Sequence, residues 1–133
     1  MGKLGCRCGK VISDHTNGLA YKASLLKDSL SDSFWDRLIE DVQSYVCAVE
    51  KGHTSDWLLH RGFGENYVDL QLPHGHILHD LIHATYLDLK RDMFECPNCG
   101  RILIEGNKNN QFNSYYPDSG FSNCVLAVDK KDV

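Results

Sequence analysis

No stretch of the 133-residue sequence is apolar over the length needed to cross a membrane. Residues Met1 to Lys10 also lack the apolar core of a secretory signal. These two absences argue against a membrane protein and against export. We therefore expect a reducing, cytoplasmic setting.

Positively charged residues are also fewer than negatively charged ones. The chain has 14 lysine and arginine residues against 18 aspartate and glutamate residues, a formal net charge of −4. Proteins held on nucleic acid by phosphate contacts are usually basic, so this balance disfavours that class. It favours a basic protein as partner.

The sequence lacks a phosphate-binding loop, a nucleophile elbow and a dinucleotide-binding fingerprint. Its one G-x-G stretch, Gly62-Phe63-Gly64, has neither a clear strand before it nor a helix after it. We therefore expect a protein that is not an enzyme and has no catalytic residues.

Six cysteines could form three disulfides in a secreted mini-protein, but four of them occur as two short pairs, Cys6-Arg7-Cys8-Gly9 and Cys96-Pro97-Asn98-Cys99-Gly100. Each pair is typical of a zinc knuckle, in which glycine takes the left-handed backbone of the turn. Cys47 and Cys124 are left as expected free thiols.

The predicted metal site consists of Cys6, Cys8, Cys96 and Cys99. Four thiolates are the usual ligands of a closed structural zinc site, which has no open position for water. Iron accepts the same ligands and is the alternative. A zinc ion with four thiolates adds −2, which gives a net charge of about −6. Arg7, Lys10 and Arg101 flank the ligands and would offset part of this charge.

Two helices are predicted from apolar residues at a helical period. The first covers Phe34 to Lys51, with Asp32 or Ser33 as cap and Gly52 as stop, and the second covers His76 to about Lys90. The face of the first helix that is expected to enter the core contains Phe34, Trp35, Leu38, Ile39, Val42, Tyr45, Val46 and Val49.

The other predicted elements are shorter. Knuckle hairpins are expected over 4–13 and 93–105, a strand over 19–26, a short helix over 54–61, an extended segment over 67–72 and a C-terminal hairpin over 111–128. The expected fold is α+β: a single domain over 1–133, in which zinc-ribbon-type hairpins are held together around a helical insertion at 28–92.

Histidines on the second helix offer a catalytic alternative. His76, His79 and His83 share the face opposite the apolar stripe, with Asp80 beside them. His79 and His83 are spaced to chelate a metal ion, so a metal-dependent hydrolase is one alternative function. The helix lacks the glutamate of an HExxH motif, and a solvated polar face is the simpler interpretation.

Acidic residues offer a binding surface. Asp36 and Glu40 share one face of the first helix, and Asp28 and Asp32 extend the negative patch ahead of it. Without any binding function, the pattern is explained by a helix face that meets solvent. As a functional hypothesis, these four residues form a docking surface for a basic partner.

The pair CxCG and CPxCGR resembles the zinc-ribbon class. This resemblance implies a bound metal, and a module associated with nucleic acids is a second alternative. In size, acidity and lack of a catalytic set, the chain also resembles immunity proteins encoded beside bacterial polymorphic toxins. That resemblance implies a protein that neutralises a basic toxin such as a nuclease.

Overall fold

The computed structural model of the chain describes residues 2–15, 17–120, 125–129 and 131. These residues divide into two compact units. The hairpin unit combines residues 1–25 with 91–133, and the helical unit comprises 26–90. The prediction of a single domain stays a prediction.

The hairpin unit contains two antiparallel sheets. Their strands are β1 (Gly2–Gly5), β2 (Val11–Asp14), β3 (Lys22–Leu25), β4 (Arg91–Glu95), β5 (Ile102–Glu105) and β6 (Phe112–Tyr115). Strands β1 and β2 form a two-stranded sheet, and the other sheet has the order β3-β4-β5-β6. The predicted knuckle hairpins and the strand within 19–26 are thereby confirmed.

The helical unit contains α1 (Asp28–Glu50), α2 (Thr54–His60), α3 (Glu65–Asp69) and α4 (His74–Leu89). Its core is built on Tyr45, Leu58 and Ile77, with partly buried apolar residues packed around them. Together with the two sheets, these helices confirm the α+β prediction. Within the described part of the chain, no helix is long and apolar enough to span a membrane.

Helix α1 begins six residues before its predicted start. Lys27 is the N-cap and makes no side-chain capping hydrogen bond, so the prediction that Asp32 or Ser33 caps the helix is wrong. The helix ends as predicted, because Gly52 follows with a φ of +72°, a left-handed conformation that favours glycine.

Part of the predicted core face of α1 lies at the surface. Trp35, Ile39 and Val46 are 55, 62 and 39 % exposed, whereas Tyr45 is fully buried. At 100° per residue, the three exposed residues lie along one edge of the apolar arc. The periodicity was therefore right, but the arc is wider than the surface that α1 buries.

One other prediction is wrong, because the segment predicted as extended over 67–72 contains most of helix α3. The first strand of the predicted C-terminal hairpin is present as β6, which pairs with β5, and residues 125–126 form a turn. The predicted second strand lies in part outside the described residues, at 121–124, so this hairpin stays a prediction. The backbone amides of Val125 and Leu126 donate to the buried carboxylate of Glu95.

Helix α3 is joined to α4 by a charge-assisted hydrogen bond. The Tyr67 hydroxyl donates to Oδ2 of Asp80 at 2.7 Å. This bond lowers the pKa of Asp80. Burial, followed by the bond to Asp80, raises the pKa of Tyr67 to about 12. The folded helical unit therefore prefers an ionised Asp80 and a protonated Tyr67.

We expect Tyr67→Phe to lower the free energy of unfolding by about 1–2 kcal/mol at pH 7, since it removes a hydrogen bond to a charged acceptor. The lowered pKa of Asp80 contributes stability above its unfolded value of about 4, so the difference from wild type should shrink as the pH falls below that value. The raised pKa of Tyr67 contributes stability below about pH 10, and wild type should lose it between about pH 10 and 12.

Urea unfolding followed by circular dichroism at the helix band measures this difference. Tyr86→Phe is the matched control, because the Tyr86 hydroxyl has no hydrogen-bond partner among the described residues. If the two variants lost the same free energy of unfolding at pH 7, the stabilising role of the bond between Tyr67 and Asp80 would be contradicted.

Candidate functional site

Each cysteine pair lies in a tight turn at the end of a strand. The Gly9 amide donates to the carbonyl of Cys6, and the Gly100 amide donates to that of Cys96, both at 2.9 Å. The glycines have φ values of +95° and +77°, which side chains with a Cβ rarely adopt. The single-residue spacing of the first pair therefore still gives a knuckle-like turn.

The two turns meet in the core of the hairpin unit. Cys6 and Cys96 are 7 and 1 % exposed, and they pack with Ile12, Phe94 and Leu103. Cys8 is exposed and Cys99 is half-buried. The cluster therefore has a dry inner side and an outer side at the surface.

The sulfur atoms of Cys6, Cys8, Cys96 and Cys99 all lie within 4.8 Å of one another. Sγ of Cys6 is 3.5 Å from that of Cys99, and Sγ of Cys8 is 3.6 Å from that of Cys96. Four sulfurs at about 2.3 Å from one tetrahedral ion would be about 3.8 Å apart. The four predicted ligands are thus brought together as a group that could hold a metal ion. Across the described ranges, no other group of three or more metal-ligating side chains comes this close.

Two side chains donate hydrogen bonds to the outer sulfurs. Nδ2 of Asn98 lies 3.4 Å from Sγ of Cys8, and Nη1 of Arg101 lies 3.3 Å from Sγ of Cys99. The Arg101 guanidinium also stacks on the Tyr116 ring at 4.9 Å. Such donors offset thiolate charge and orient ligands. The sequence predicted the role of Arg101, but it did not predict that of Asn98, whose only signal is its position between the two cysteines.

The inner and outer sulfurs have different acidities. Burial raises the pKa of Cys6 to about 12 and also raises that of Cys96. The Asn98 amide lowers the pKa of Cys8 to about 6. Burial works to raise the pKa of Cys99, but donors from Arg101 lower it overall. A metal ion would therefore displace protons chiefly from the inner pair.

The histidine face of α4 is at the surface, as predicted. The His79 and His83 rings stack with centroids 5.3 Å apart. Asp80 lies within 3.3–3.4 Å of His79 and His76. Among the described residues, these histidines are not part of a group of three or more side chains close enough to hold a metal ion, so their geometry gives no support to the hydrolase alternative.

The four acidic residues form a row along a single helix. Asp28, Asp32, Asp36 and Glu40 all lie within α1 and are all exposed. The expectation that Asp28 and Asp32 precede the helix was wrong, because α1 starts earlier than predicted. At i, i+4 spacing the four carboxylates follow one side of the helix for about 18 Å. We call this set the acidic row.

We expect Cys99→Ala to abolish stoichiometric metal binding and to unfold or severely destabilise the hairpin unit, because metal binding at such sites contributes directly to folding. Elemental analysis should give about one ion per wild-type chain. Hydrogen exchange of the β4 and β5 amides reports on the fold of this unit. Cys47→Ala is the control, since Cys47 is a free cysteine outside the cluster. Unchanged exchange protection in chelator-treated wild type would contradict the prediction.

The second expected free thiol, Cys124, lies outside the described residues.

Comparisons with known proteins identify a family for the chain. No curated protein and no solved structure matches the chain. A family model described as a domain of unknown function, DUF8617, matches residues 2–119. This range includes all four clustered cysteines and every helix and strand described above. The chain therefore belongs to the DUF8617 family.

Proposed function

We propose that the chain is a non-enzymatic binding protein with a structural zinc ion. Four cysteine sulfurs within 4.8 Å of one another support a closed four-cysteine site, and zinc is the usual ion of such sites. Coordination by all four would leave no open position for substrate or water. The metal would then stabilise the hairpin unit and take no part in a reaction.

The binding function is carried by the acidic row of the helical unit. Residues 26–90 contain five lysine and arginine residues against eleven aspartate and glutamate residues, a formal charge of −6. The rest of the chain contains nine against seven, a charge of +2. The acidity of the protein is therefore concentrated in the unit that carries the row.

Like charges repel one another along the acidic row, although Asp28 in the first turn is favoured by the positive end of the helix dipole. Like charges at i, i+4 destabilise a helix by about 0.2–0.5 kcal/mol per pair, and the row contains three such pairs. None of its carboxylates has an ion-pair partner among the described residues. A basic protein surface would supply the missing counter-charge. This repulsion favours a docking surface over an ordinary solvated face.

We propose a basic protein as partner, most concretely a toxin domain such as a nuclease, which this cytoplasmic protein would neutralise as an immunity protein. A nuclease binds phosphates with a basic surface. Carboxylates on a rigid helix would occupy that surface in place of substrate. Support comes from the size of the chain, its acidity and the placement of the acidic row.

Zinc is tested by elemental analysis of protein expressed without added metal. We expect about one zinc and negligible iron per chain. Reconstitution with Co²⁺ should give the intense thiolate-to-cobalt absorption and the visible bands of a tetrahedral site, and both should disappear in Cys99→Ala. Stoichiometric iron in the isolated protein would contradict the assignment.

The docking surface is tested by reversing two charges, Asp36→Lys with Glu40→Lys. This change should slow association with a basic partner by about tenfold or more at low salt, because steering depends on exposed charges. The loss should shrink as salt rises, since screening acts over about 10 Å at 0.1 M. The measurement is association kinetics across a salt series, with partners selected by capture on wild-type protein.

Glu65→Lys with Asp69→Lys is the matched control. It makes the same change in net charge at the same spacing, but on α3. If this control slows association as much as the α1 double variant does, only the net charge of the protein matters. Identical kinetics for the α1 variant and wild type would place the interface elsewhere.

A further inference from the structure

Five rings form a continuous row across α1 and α4. The ring centroids of Trp35 and Phe34 are 5.4 Å apart, and those of Phe34 and Tyr86 are 6.3 Å apart. The Tyr86 ring then stacks on His83 at 6.5 Å, and His83 stacks on His79 at 5.3 Å. We call these five residues the aromatic row.

The aromatic row is a surface feature. Trp35 is 55 % exposed, and the His79 side chain is 70 % exposed. His83 is also exposed, while Phe34 and Tyr86 are half-buried. None of the five belongs to the core cluster around Tyr45. The rings at the two ends of the row, Trp35 and His79, are therefore the ones most accessible to a ligand.

Carboxylates lie at both ends of the row. Asp32, from the acidic row, lies three residues before Trp35 on α1 and therefore shares its side of the helix. At the other end, the Asp80 carboxylate lies 3.3 Å from Nδ1 of His79. The cation nearest in sequence, Arg37, forms an ion pair with Asp88 at 3.7 Å. The surroundings therefore favour a cationic ligand.

Rings and carboxylates together distinguish between the two basic side chains. A guanidinium is planar and weakly hydrated, so it stacks on ring faces while it donates to carboxylates in bidentate fashion. An ammonium group is a compact, strongly hydrated charge that gains less from a row of rings. The same stacking already occurs in this chain, where Arg61 lies over the Trp57 ring at 4.9 Å and donates to Asp41.

We propose that the aromatic row binds arginine side chains of the basic partner, with the neighbouring carboxylates as counter-charges. The inference rests on the proposed function, since it names the chemistry by which the acidic helical unit recognises its partner. The acidic row attracts any basic surface, whereas the aromatic row selects arginine over lysine.

Nona-arginine and nona-lysine peptides are suitable probes, because they carry the same charge and differ in the side-chain head group. Fluorescence anisotropy of labelled peptides on the full chain measures both affinities. We expect wild type to bind nona-arginine about tenfold more tightly, a preference that corresponds to about 1.4 kcal/mol. Asp36→Lys with Glu40→Lys should weaken the binding of both peptides.

Trp35→Leu removes the exposed ring but keeps an apolar side chain at the helix surface. It should reduce the preference for nona-arginine at least threefold and leave nona-lysine affinity within about twofold. Tyr115→Ala is the control, because Tyr115 is a similarly exposed aromatic residue of the hairpin unit. The Tyr115→Ala variant should keep the full preference for nona-arginine over nona-lysine. Circular dichroism confirms that each variant is folded, and Trp35→Phe should restore most of the preference.

The possible outcomes distinguish the proposed role of the aromatic row from the proposed docking surface. Equal affinities of wild type for the two peptides, or a preference that Trp35→Leu leaves unchanged, would overturn the role of the aromatic row. If both peptides still lose affinity in the α1 double variant, the docking surface stands without arginine selection. Failure of both peptides to bind wild type at low salt would overturn the docking surface and this inference together.

Discussion

Four sulfur atoms within 4.8 Å of one another set the main constraint on the hairpin unit. Among the described residues, two of the five buried residues in its core cluster, Cys6 and Cys96, belong to that sulfur group. A core this small contributes little hydrophobic stabilisation by itself. Mutual repulsion would prevent four thiolates from sharing the site without a cation. A bound metal ion would therefore complete the core as well as join the two turns.

The helical unit depends on a different balance. Its core is held by apolar contacts around Tyr45 and by polar links such as that between Tyr67 and Asp80. Its surface carries most of the negative charge and the exposed edge of α1. Stability and binding are thus divided: the buried side of α1 supports the fold, while the acidic and aromatic rows lie where a partner could reach them.

Local signals in the sequence were enough to predict the knuckle turns, the clustered cysteines and both long helices. Glycine after each cysteine pair and apolar residues at a helical period depend on few distant contacts. The start of α1 was missed because Lys27 supplies no side-chain cap. Helix α3 was missed because its bond to Asp80 comes from tertiary structure. Periodicity also could not show that Trp35 and Ile39 stay exposed, since it defines an apolar arc and not what covers it.

Cys6 and Cys99 are 93 residues apart, and the helical unit lies between them in the sequence. Bringing such distant residues together costs chain entropy that grows with the length of the loop. The contacts within residues 26–90 are more local, and local contacts form faster. Early folding of these helices would shorten the effective loop before the second cysteine pair meets the first. The order of events during synthesis would follow: helices form first, and metal capture completes the fold after residue 99 has emerged.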